Sequence, residues 1–181
     1  MKKGLILVDI QKDYFDGGRY ELVNPVEAVE QAGKILSHFR RKGWHVFHVQ
    51  HISTNIDAGF FIPNTEGIEF HNEISPLKGE VIITKHRPDS FLNTNLKEKL
   101  EDAGIDQLVV CGMMTHMCID TTIRTANSYG YAVTLIEDGC ATRDLAWGDN
   151  IVPAEQVHCA YMAALNGSFA KVIKADAWIK E

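Results

Sequence analysis

Cys118 differs from the other three cysteines in its position along the sequence. It follows a run of apolar residues and the segment GMMTHM at 112–117, which predicts that it lies in the first turn of a helix directly after a buried strand. Unpaired backbone N–H groups and the positive end of the helix dipole favour a thiolate there, and the same N–H groups can bind an oxyanion. Cys118 is therefore the candidate nucleophile. Cys111 in a strand and Cys159 in a helix are expected to be buried and inert, and Cys140 in a loop has no assigned role.

Asp9 and Lys85 supply the charged groups that a cysteine nucleophile needs. Asp9 ends the apolar run at 4–8, so its carboxylate is expected to be partly desolvated and suited to accepting and returning protons. Lys85 follows a further apolar strand, and an ammonium beside both groups would keep the carboxylate ionised and favour the thiolate. Alone, each residue has a simpler interpretation, as a helix cap or a solvated lysine. Their shared position after strands favours the catalytic one.

The elements that must position these residues alternate between strands and helices. Strands are predicted at 4–8, 44–50, 81–84, 107–111, 132–136 and 169–173, and helices at 25–42, at 92–103, soon after 112, and at 153–165. This pattern predicts one domain over residues 1–181, a Rossmann-like three-layer α/β/α sandwich with a mostly parallel six-stranded sheet. Ligands bind beyond the carboxyl ends of such strands. Residues 52–76 fit no element and are predicted to form a lid.

Composition and charge exclude several classes of function. The 181 residues are 45% hydrophobic and 23% charged, which is ordinary globular usage, and the net charge of −6 gives no basic surface for nucleic acid or anionic lipid. No apolar run suits a secretory signal or a membrane span, and no CxxC pair is present, so a cytoplasmic protein with reduced thiols is expected. Without GxGxxG or GxxxxGK[ST], NAD and ATP are disfavoured and no cofactor is predicted.

Three segments carry these candidate residues in a family-like order. They are DIQKDYF at 9–15, KHRPDSFLNTNL at 85–96, and GMMTHMCIDTTIRTANSYG at 112–130. Together they resemble the aspartate, lysine and cysteine motifs of the isochorismatase-like cysteine hydrolase superfamily, which includes nicotinamidases and N-carbamoylsarcosine amidase. Asp89-Ser90 stands where many members have Ser-Ala. The likeness runs from about Lys3 to the end of the chain.

The resemblance implies a Cys–Asp–Lys triad of Cys118, Asp9 and Lys85 that hydrolyses a small-molecule amide or a carbamoyl or ureido C–N bond. The backbone amides of Met114 and Cys118 would form the oxyanion hole, next to a cis peptide between Met113 and Met114. Family members also form homodimers or homotetramers. Alternatives are an isochorismatase-type vinyl-ether hydrolase, an idle oligomeric binding module, and a thiol redox protein, which the missing CxxC pair disfavours.

Further residues near the predicted strand ends could contact a small-molecule substrate. We expect Tyr14, Phe15, His51, Phe91 and Thr115 to do so, although aromatic residues fill ordinary cores equally well. Arg87 could bind a substrate carboxylate, but a surface salt bridge is the simpler expectation. The sequence does not identify the substrate.

No metal site is predicted. Nicotinamidases of the resembled superfamily often hold a divalent ion with an Asp-x-His pair and a further His. This sequence contains no Asp-x-His pair. His48 points to the opposite face of the strand from His45 and His51, and those two would lie about 20 Å apart, so the three do not suit a shared ion. A site formed by His51, Asp57 and His71 across the lid is the remaining alternative.

The apolar tip of the predicted lid suggests assembly. Residues 60–62 read Phe-Phe-Ile, and leaving them in water would be costly. At least a homodimer is therefore expected.

Overall fold

A six-stranded sheet forms the centre of the structure. The computed structural model describes residues 2–181, apart from the side chain of Ile56. Every neighbouring pair in the sheet is parallel, in the order β3-β2-β1-β4-β5-β8, which confirms the predicted sheet. In chain order the strands are β1 (Lys3–Val8), β2 (His45–His51), β3 (Val81–Lys85), β4 (Gln107–Met113), β5 (Ala132–Ala141), β6 (Leu145–Trp147), β7 (Asn150–Val152) and β8 (Lys171–Ile173).

Helices flank this sheet. They are α1 (Pro25–Lys42), α2 (Leu96–Asp102), α3 (Asp120–Ser128), α4 (Ala154–Leu165) and α5 (Ala175–Ile179). Pro25 starts α1, and Gly43 ends it with a left-handed φ of 64°, as the sequence predicts. Val26, in the first turn of α1, is half exposed. The run at 4–8 in β1 is buried on both faces of the sheet, which confirms the three-layer arrangement. Over residues 2–181 no helix has the length and apolar character to cross a bilayer.

Several boundaries differ from the predicted ones. Helix α2 begins at Leu96 rather than at residue 92, because Asn93 has a left-handed φ of 56° and the Thr94 hydroxyl donates to the Ser90 carbonyl, which forms a turn there. Strand β5 continues to Ala141, five residues beyond its predicted end, and β8 begins two residues late. The antiparallel hairpin of β6 and β7 and the short helix α5 were not predicted.

Residues 52–76 form an ordered segment that is hydrogen-bonded to the rest of the chain. Three single-turn 3₁₀ helices divide it, at Ile56–Ala58, Glu66–Ile68 and Asn72–Ile74. Asp13 accepts a 2.6 Å hydrogen bond from the Phe61 amide, and Gln11 donates a 3.0 Å bond to the Ile68 carbonyl. Buried side chains that follow β1 thus hold this segment in place.

The apolar tip of the segment is largely buried within the same chain, whereas the sequence suggested that a second copy would be needed to cover it. Phe61 is 1% exposed and Ile62 is also buried. The Phe61 ring packs edge-on against Tyr14 at a centroid distance of 4.7 Å, and Phe60 stacks on Tyr20 at 4.4 Å. The aromatic residues that follow β1 therefore cover most of the tip.

Candidate active site

The candidate residues lie at the carboxyl ends of four adjacent strands. Asp9 directly follows β1, His51 ends β2, Lys85 ends β3, and Cys118 lies in the turn after β4. The sheet order places β3, β2, β1 and β4 side by side. The direction of strand order changes between β1 and β4, which is where α/β sheets bind their ligands.

Asp9, Lys85 and Cys118 meet at the Lys85 ammonium, and we refer to them as the Asp9–Lys85–Cys118 cluster. Lys85 Nζ lies 2.7 Å from Asp9 Oδ2 and 3.1 Å from Cys118 Sγ. The same nitrogen donates to the carbonyls of Arg87 at 3.0 Å and Pro88 at 3.2 Å. Asp9 and Lys85 are fully buried and Cys118 is 4% exposed. The structure therefore brings the three predicted residues into direct contact.

Local backbone conformation directs Asp9 and Cys118 toward each other. Asp9 has a left-handed φ of 52°, a conformation that aspartate tolerates better than most residues. Gly112 has a φ of 137°, and a Cβ there would lie 2.1 Å from the Val8 carbonyl oxygen, so only glycine lets β4 pass so close to β1. The Met113–Met114 peptide is cis. Residues 115–119 form one π-helical turn that continues into α3, so Cys118 lies in the first turn, as predicted.

His51 is a fourth side chain in contact with the cluster. Its Nδ1 lies 3.2 Å from Lys85 Nζ and 3.9 Å from Asp9 Oδ2. The fully buried Gln11 holds the His51 backbone, since it donates to the carbonyl at 2.9 Å and accepts from the amide at 2.7 Å. The sequence analysis assigned no role to Gln11, although a polar residue soon after a buried strand often has a structural or functional role.

Burial determines the charge states here. Burial, followed by the Asp9 charge, raises the pKa of the Cys118 thiol against the opposing effect of Lys85. Burial lowers the pKa of Lys85, but Asp9 and Cys118 outweigh it and the pKa is raised. Burial lowers the pKa of His51 to about 4. These shifts favour a thiol, an ammonium and a neutral imidazole at neutral pH, whereas the sequence pattern favours a thiolate at Cys118.

Tyr14 lies near the cluster and Thr115 faces away from it. Burial raises the pKa of Tyr14 well above its usual value, and the charges of Cys118 and Asp9 raise it further. Its ring packs on Phe61, which lies against the His51 ring at a centroid distance of 5.6 Å. The Thr115 hydroxyl instead contacts the Ala141 carbonyl at 3.3 Å and His158 Nδ1 at 3.1 Å. Its hydrogen-bonding capacity is used within the chain, on the side of α4.

Phe15 and Phe91 contact other parts of the chain. Phe15 lies against His71 at 4.2 Å between ring centroids, and Phe91 packs edge-on against Tyr129 at 5.4 Å. Arg87 is exposed, and over residues 2–181 it forms no ion pair, so the expected surface salt bridge is wrong.

The other cysteines differ from one another in burial. Cys111 and Cys140 are buried, whereas Cys159 is exposed, so its expected burial is wrong. Helix α4 buries Val157, Met162 and Leu165, and Cys159 lies on the opposite, solvent-facing side of that helix.

One group of metal-ligand side chains is present in the part of the chain that the structure describes. The ligand atoms of Asp9, His51 and Cys118 all lie within 4.8 Å of one another. The alternative site of His51, Asp57 and His71 is not assembled, since Asp57 is exposed and His71 packs on Phe15.

An isochorismatase domain matches residues 3–177. The chain belongs to the isochorismatase family. As a member it is a hydrolase. The uncharacterized isochorismatase family protein YddQ of Bacillus subtilis is 53% identical over 180 residues, covering 99% of this chain and 100% of that protein. An isochorismatase structure from Pseudomonas putida is 39% identical with a TM-score of 0.91, covering 97% and 89% of the two chains.

Two further isochorismatase-family relatives carry names of amidases. N-carbamoylsarcosine amidase from Thermoplasma acidophilum superimposes with a TM-score of 0.80 at 26% identity, covering 97% of this chain and 98% of that one. Nicotinamidase of Escherichia coli is 27% identical over 193 residues, covering 86% of this chain and 88% of that protein. The family thus includes enzymes that cleave non-peptide C–N bonds.

Proposed function

We propose that this isochorismatase-family hydrolase cleaves the C–N bond of a small-molecule amide, carbamoyl or ureido compound through a thioester on Cys118. The observation that carries the proposal is the single contact point of the cluster, where one ammonium lies 2.7 Å from a carboxylate and 3.1 Å from a thiol. A nucleophile, a base and a fixed cation within hydrogen-bond reach are the groups that covalent acyl transfer requires. The amidase relatives support the choice of a C–N bond over a vinyl ether.

In the first half of the reaction Asp9 accepts the proton of the Cys118 thiol. The thiolate attacks the substrate carbonyl carbon, and the developing oxyanion is held by the amides of Met114 and Cys118. Asp9 then returns its proton to the departing nitrogen. The C–N bond breaks, ammonia or an amine leaves, and a thioester joins the acyl group to Cys118.

In the second half water cleaves the thioester. Asp9 accepts a proton from the water as its oxygen attacks the carbonyl carbon, and the C–S bond breaks to release the acid. The Cys118 thiolate recovers the proton from Asp9, so the cycle ends in the resting thiol state. No cofactor takes part in these steps.

Lys85 and His51 keep the other charges fixed throughout. Because the pKa of Lys85 is raised, the ammonium persists and stabilises both the Asp9 carboxylate and the transient Cys118 thiolate. The ammonium faces His51 Nδ1, so the neutral imidazole carries its proton on Nε2 and can donate it to a bound substrate.

An ammonia-release screen over small amides, ureas and carbamoyl compounds tests the proposal. We expect at least one to be hydrolysed, and Cys118→Ala to lower kcat by at least about 10³-fold, because removal of a nucleophile leaves only binding and oxyanion stabilisation. Cys159→Ala is the matched control, since this cysteine is exposed and lies outside the site. Full activity of Cys118→Ala would refute the thioester mechanism. Turnover of vinyl ethers but of no C–N compound would refute the proposed bond specificity.

A further inference from the structure

The Lys85 ammonium lies among three side chains that commonly bind zinc. Its Nζ is 2.7 Å from Asp9 Oδ2, 3.2 Å from His51 Nδ1 and 3.1 Å from Cys118 Sγ. The three ligand atoms lie within 4.8 Å of one another. Zinc holds carboxylate oxygen, imidazole nitrogen and thiolate sulfur at 2.0–2.3 Å, so a tetrahedral site needs donor atoms roughly 3.3–3.8 Å apart. The three side chains can reach that spacing by small rotations.

The lone pairs of all three groups are directed to the position of the ammonium. His51 Nδ1 faces Lys85 Nζ and is therefore an acceptor. Over residues 2–181, no group outside the cluster donates a hydrogen bond to the fully buried Asp9 carboxylate. Gln11 fixes the His51 backbone from both its amide and its carbonyl. These features form a preorganised cation site in which a lysine side chain supplies the cation.

We propose that Asp9, His51 and Cys118 also form a binding site for zinc, and that Lys85 competes with the ion for it. On binding, the thiol proton is released to solvent, and the ion takes the place of the ammonium between the three ligands. The displaced ammonium must leave its present position, and the carbonyls of Arg87 and Pro88, which now accept from it at 3.0 Å and 3.2 Å, are not ligands of the ion and remain available to it. Coordination blocks the nucleophile, so zinc inhibits the activity proposed above, and only this consequence rests on the proposed function.

Direct metal binding tests the site without any substrate. All variants carry Cys159→Ser, because the exposed Cys159 thiol would bind zinc itself. Zinc affinity is measured by competition with a chromophoric chelator, and Co²⁺ is used as a spectroscopic probe. We expect Lys85→Met to bind one ion per chain at least tenfold more tightly than the Lys85 protein, with a thiolate-to-cobalt absorption band. Adding Cys118→Ser should abolish this band.

Lys97→Met is the matched control, since Lys97 is an exposed lysine on α2 that pairs with Glu101 and with none of the proposed ligands. It should leave zinc affinity unchanged. Equal affinity of the Lys85→Met and Lys85 proteins, or a cobalt band that persists without Cys118, would overturn the proposal. Should Lys85→Met fail to fold by circular dichroism, His51→Ala in the Lys85 protein must lower zinc affinity at least tenfold, and an unchanged affinity would equally overturn it.

Activity measurements separate this site from a catalytic metal. The metal-stripped enzyme should be fully active on the amide found by the screen, and micromolar zinc should inhibit it reversibly. Inhibition that is unchanged by His51→Ala would overturn the assigned ligand set. If activity is lost when the metal is stripped and is restored by zinc, the metal is required for the reaction. That result would refute the proposal that zinc inhibits the enzyme by competing with Lys85. If no amide is hydrolysed, the binding measurements still decide the zinc site.

Discussion

Exclusion of water determines where the protons lie around Cys118. The thiol is held protonated by burial and by Asp9, and the ammonium of Lys85 is held charged by the same two neighbours it contacts. The Lys85 ammonium could not stay charged without its partners, because a buried unpaired charge is strongly unfavourable, whereas burial alone already favours the neutral Cys118 thiol. The Asp9–Lys85–Cys118 cluster therefore acts as one unit, in which a proton moves between two acceptors beside a constant positive charge.

His51 makes folding stability depend on pH. Its pKa is about 6.5 in the unfolded chain, and burial lowers it to about 4 in the folded protein, so the unfolded chain binds the extra proton between these values. Stability is complete above pH 6.5 and is lost as pH falls toward 4. With 1.36 kcal/mol per pKa unit, this residue accounts for up to about 3 kcal/mol of that loss. We expect His51→Gln to flatten the pH dependence of the free energy of unfolding, measured by urea denaturation.

The control for this experiment is His45→Gln, because His45 lies on the same strand and is exposed. Its pH dependence should match that of the unaltered protein. If His51→Gln loses as much stability between pH 6.5 and 4 as the unaltered protein does, His51 is not the group that titrates.

At this scale the sequence could identify residues that follow strands but not the direction of their side chains. Asp9, Lys85 and Cys118 were predictable because parallel strands place their carboxyl ends at one edge. Thr115 is three residues from Cys118, yet its hydroxyl contacts Ala141 and His158 on another side. The exposure of Cys159 depends on which face of α4 packs inward, and the apolar pattern of that helix does not mark one face.

At the scale of elements, a charged cluster joins α1, β2 and the turn before β3. Glu80 accepts bonds from Arg40 Nε at 2.7 Å and from a second Arg40 nitrogen at 2.8 Å, and it contacts His48 Nε2 at 2.8 Å. The Leu77 amide donates to the same carboxylate at 2.9 Å. His48 is fully buried. One carboxylate thus connects a helix on one face of the sheet to the strand that carries His51 to its position.

Glu80→Gln should destabilise the protein measurably. Burial alone would raise the pKa of Glu80, but the bonds from Arg40, Leu77 and His48 lower it to about 2. The stabilisation is present above pH 4.5 and is lost as pH falls from 4.5 toward 2. Loss of the charge removes charge-assisted hydrogen bonds worth about 2 kcal/mol, which corresponds to a fall in Tm of about 4–8 °C at pH 7. Differential scanning calorimetry measures this.

Glu101→Gln provides the comparison for Glu80→Gln. Glu101 belongs to an exposed i,i+4 pair with Lys97 on α2, and such pairs contribute little. Its Tm should stay within error of the unaltered protein. An equal fall in both variants, or no fall in Glu80→Gln, would contradict a structural role of the buried cluster.

The elements that were predicted correctly are those with long uniform patterns. Strand β1 is apolar throughout and α1 has proline and glycine at its ends, so both were placed within one or two residues. The hairpin of β6 and β7 has strands of three residues, too short for any alternation to be seen. The extension of β5 to Ala141 pairs Cys140 with Gly112 across an irregular register, which depends on the partner strand rather than on local sequence.

At the scale of the whole molecule, the two most exposed large apolar side chains among the described residues lie on that hairpin. Trp147 is 84% exposed and Ile151 is 71% exposed, and Val152 is exposed beside them. The tip at 60–62, which first suggested assembly, is covered by the chain itself. A two-stranded hairpin is marginally stable in water without a packed face. The hairpin of β6 and β7, rather than the segment 52–76, is therefore the exposed apolar surface that favours assembly.

We predict that the protein is at least a homodimer and that the hairpin contributes to the contact. Leaving an indole and a branched aliphatic side chain in water forgoes about 1.5–3 kcal/mol for each, which a second copy of the same hairpin can recover by symmetric packing. Light scattering at micromolar concentration should give at least twice the 20.3 kDa chain mass. Trp147→Ser should shift the equilibrium toward the monomer, whereas Leu77→Ser, which alters another exposed apolar residue, should not. A monomeric unaltered protein would refute the assembly, and a dimer indifferent to Trp147→Ser would place the contact elsewhere.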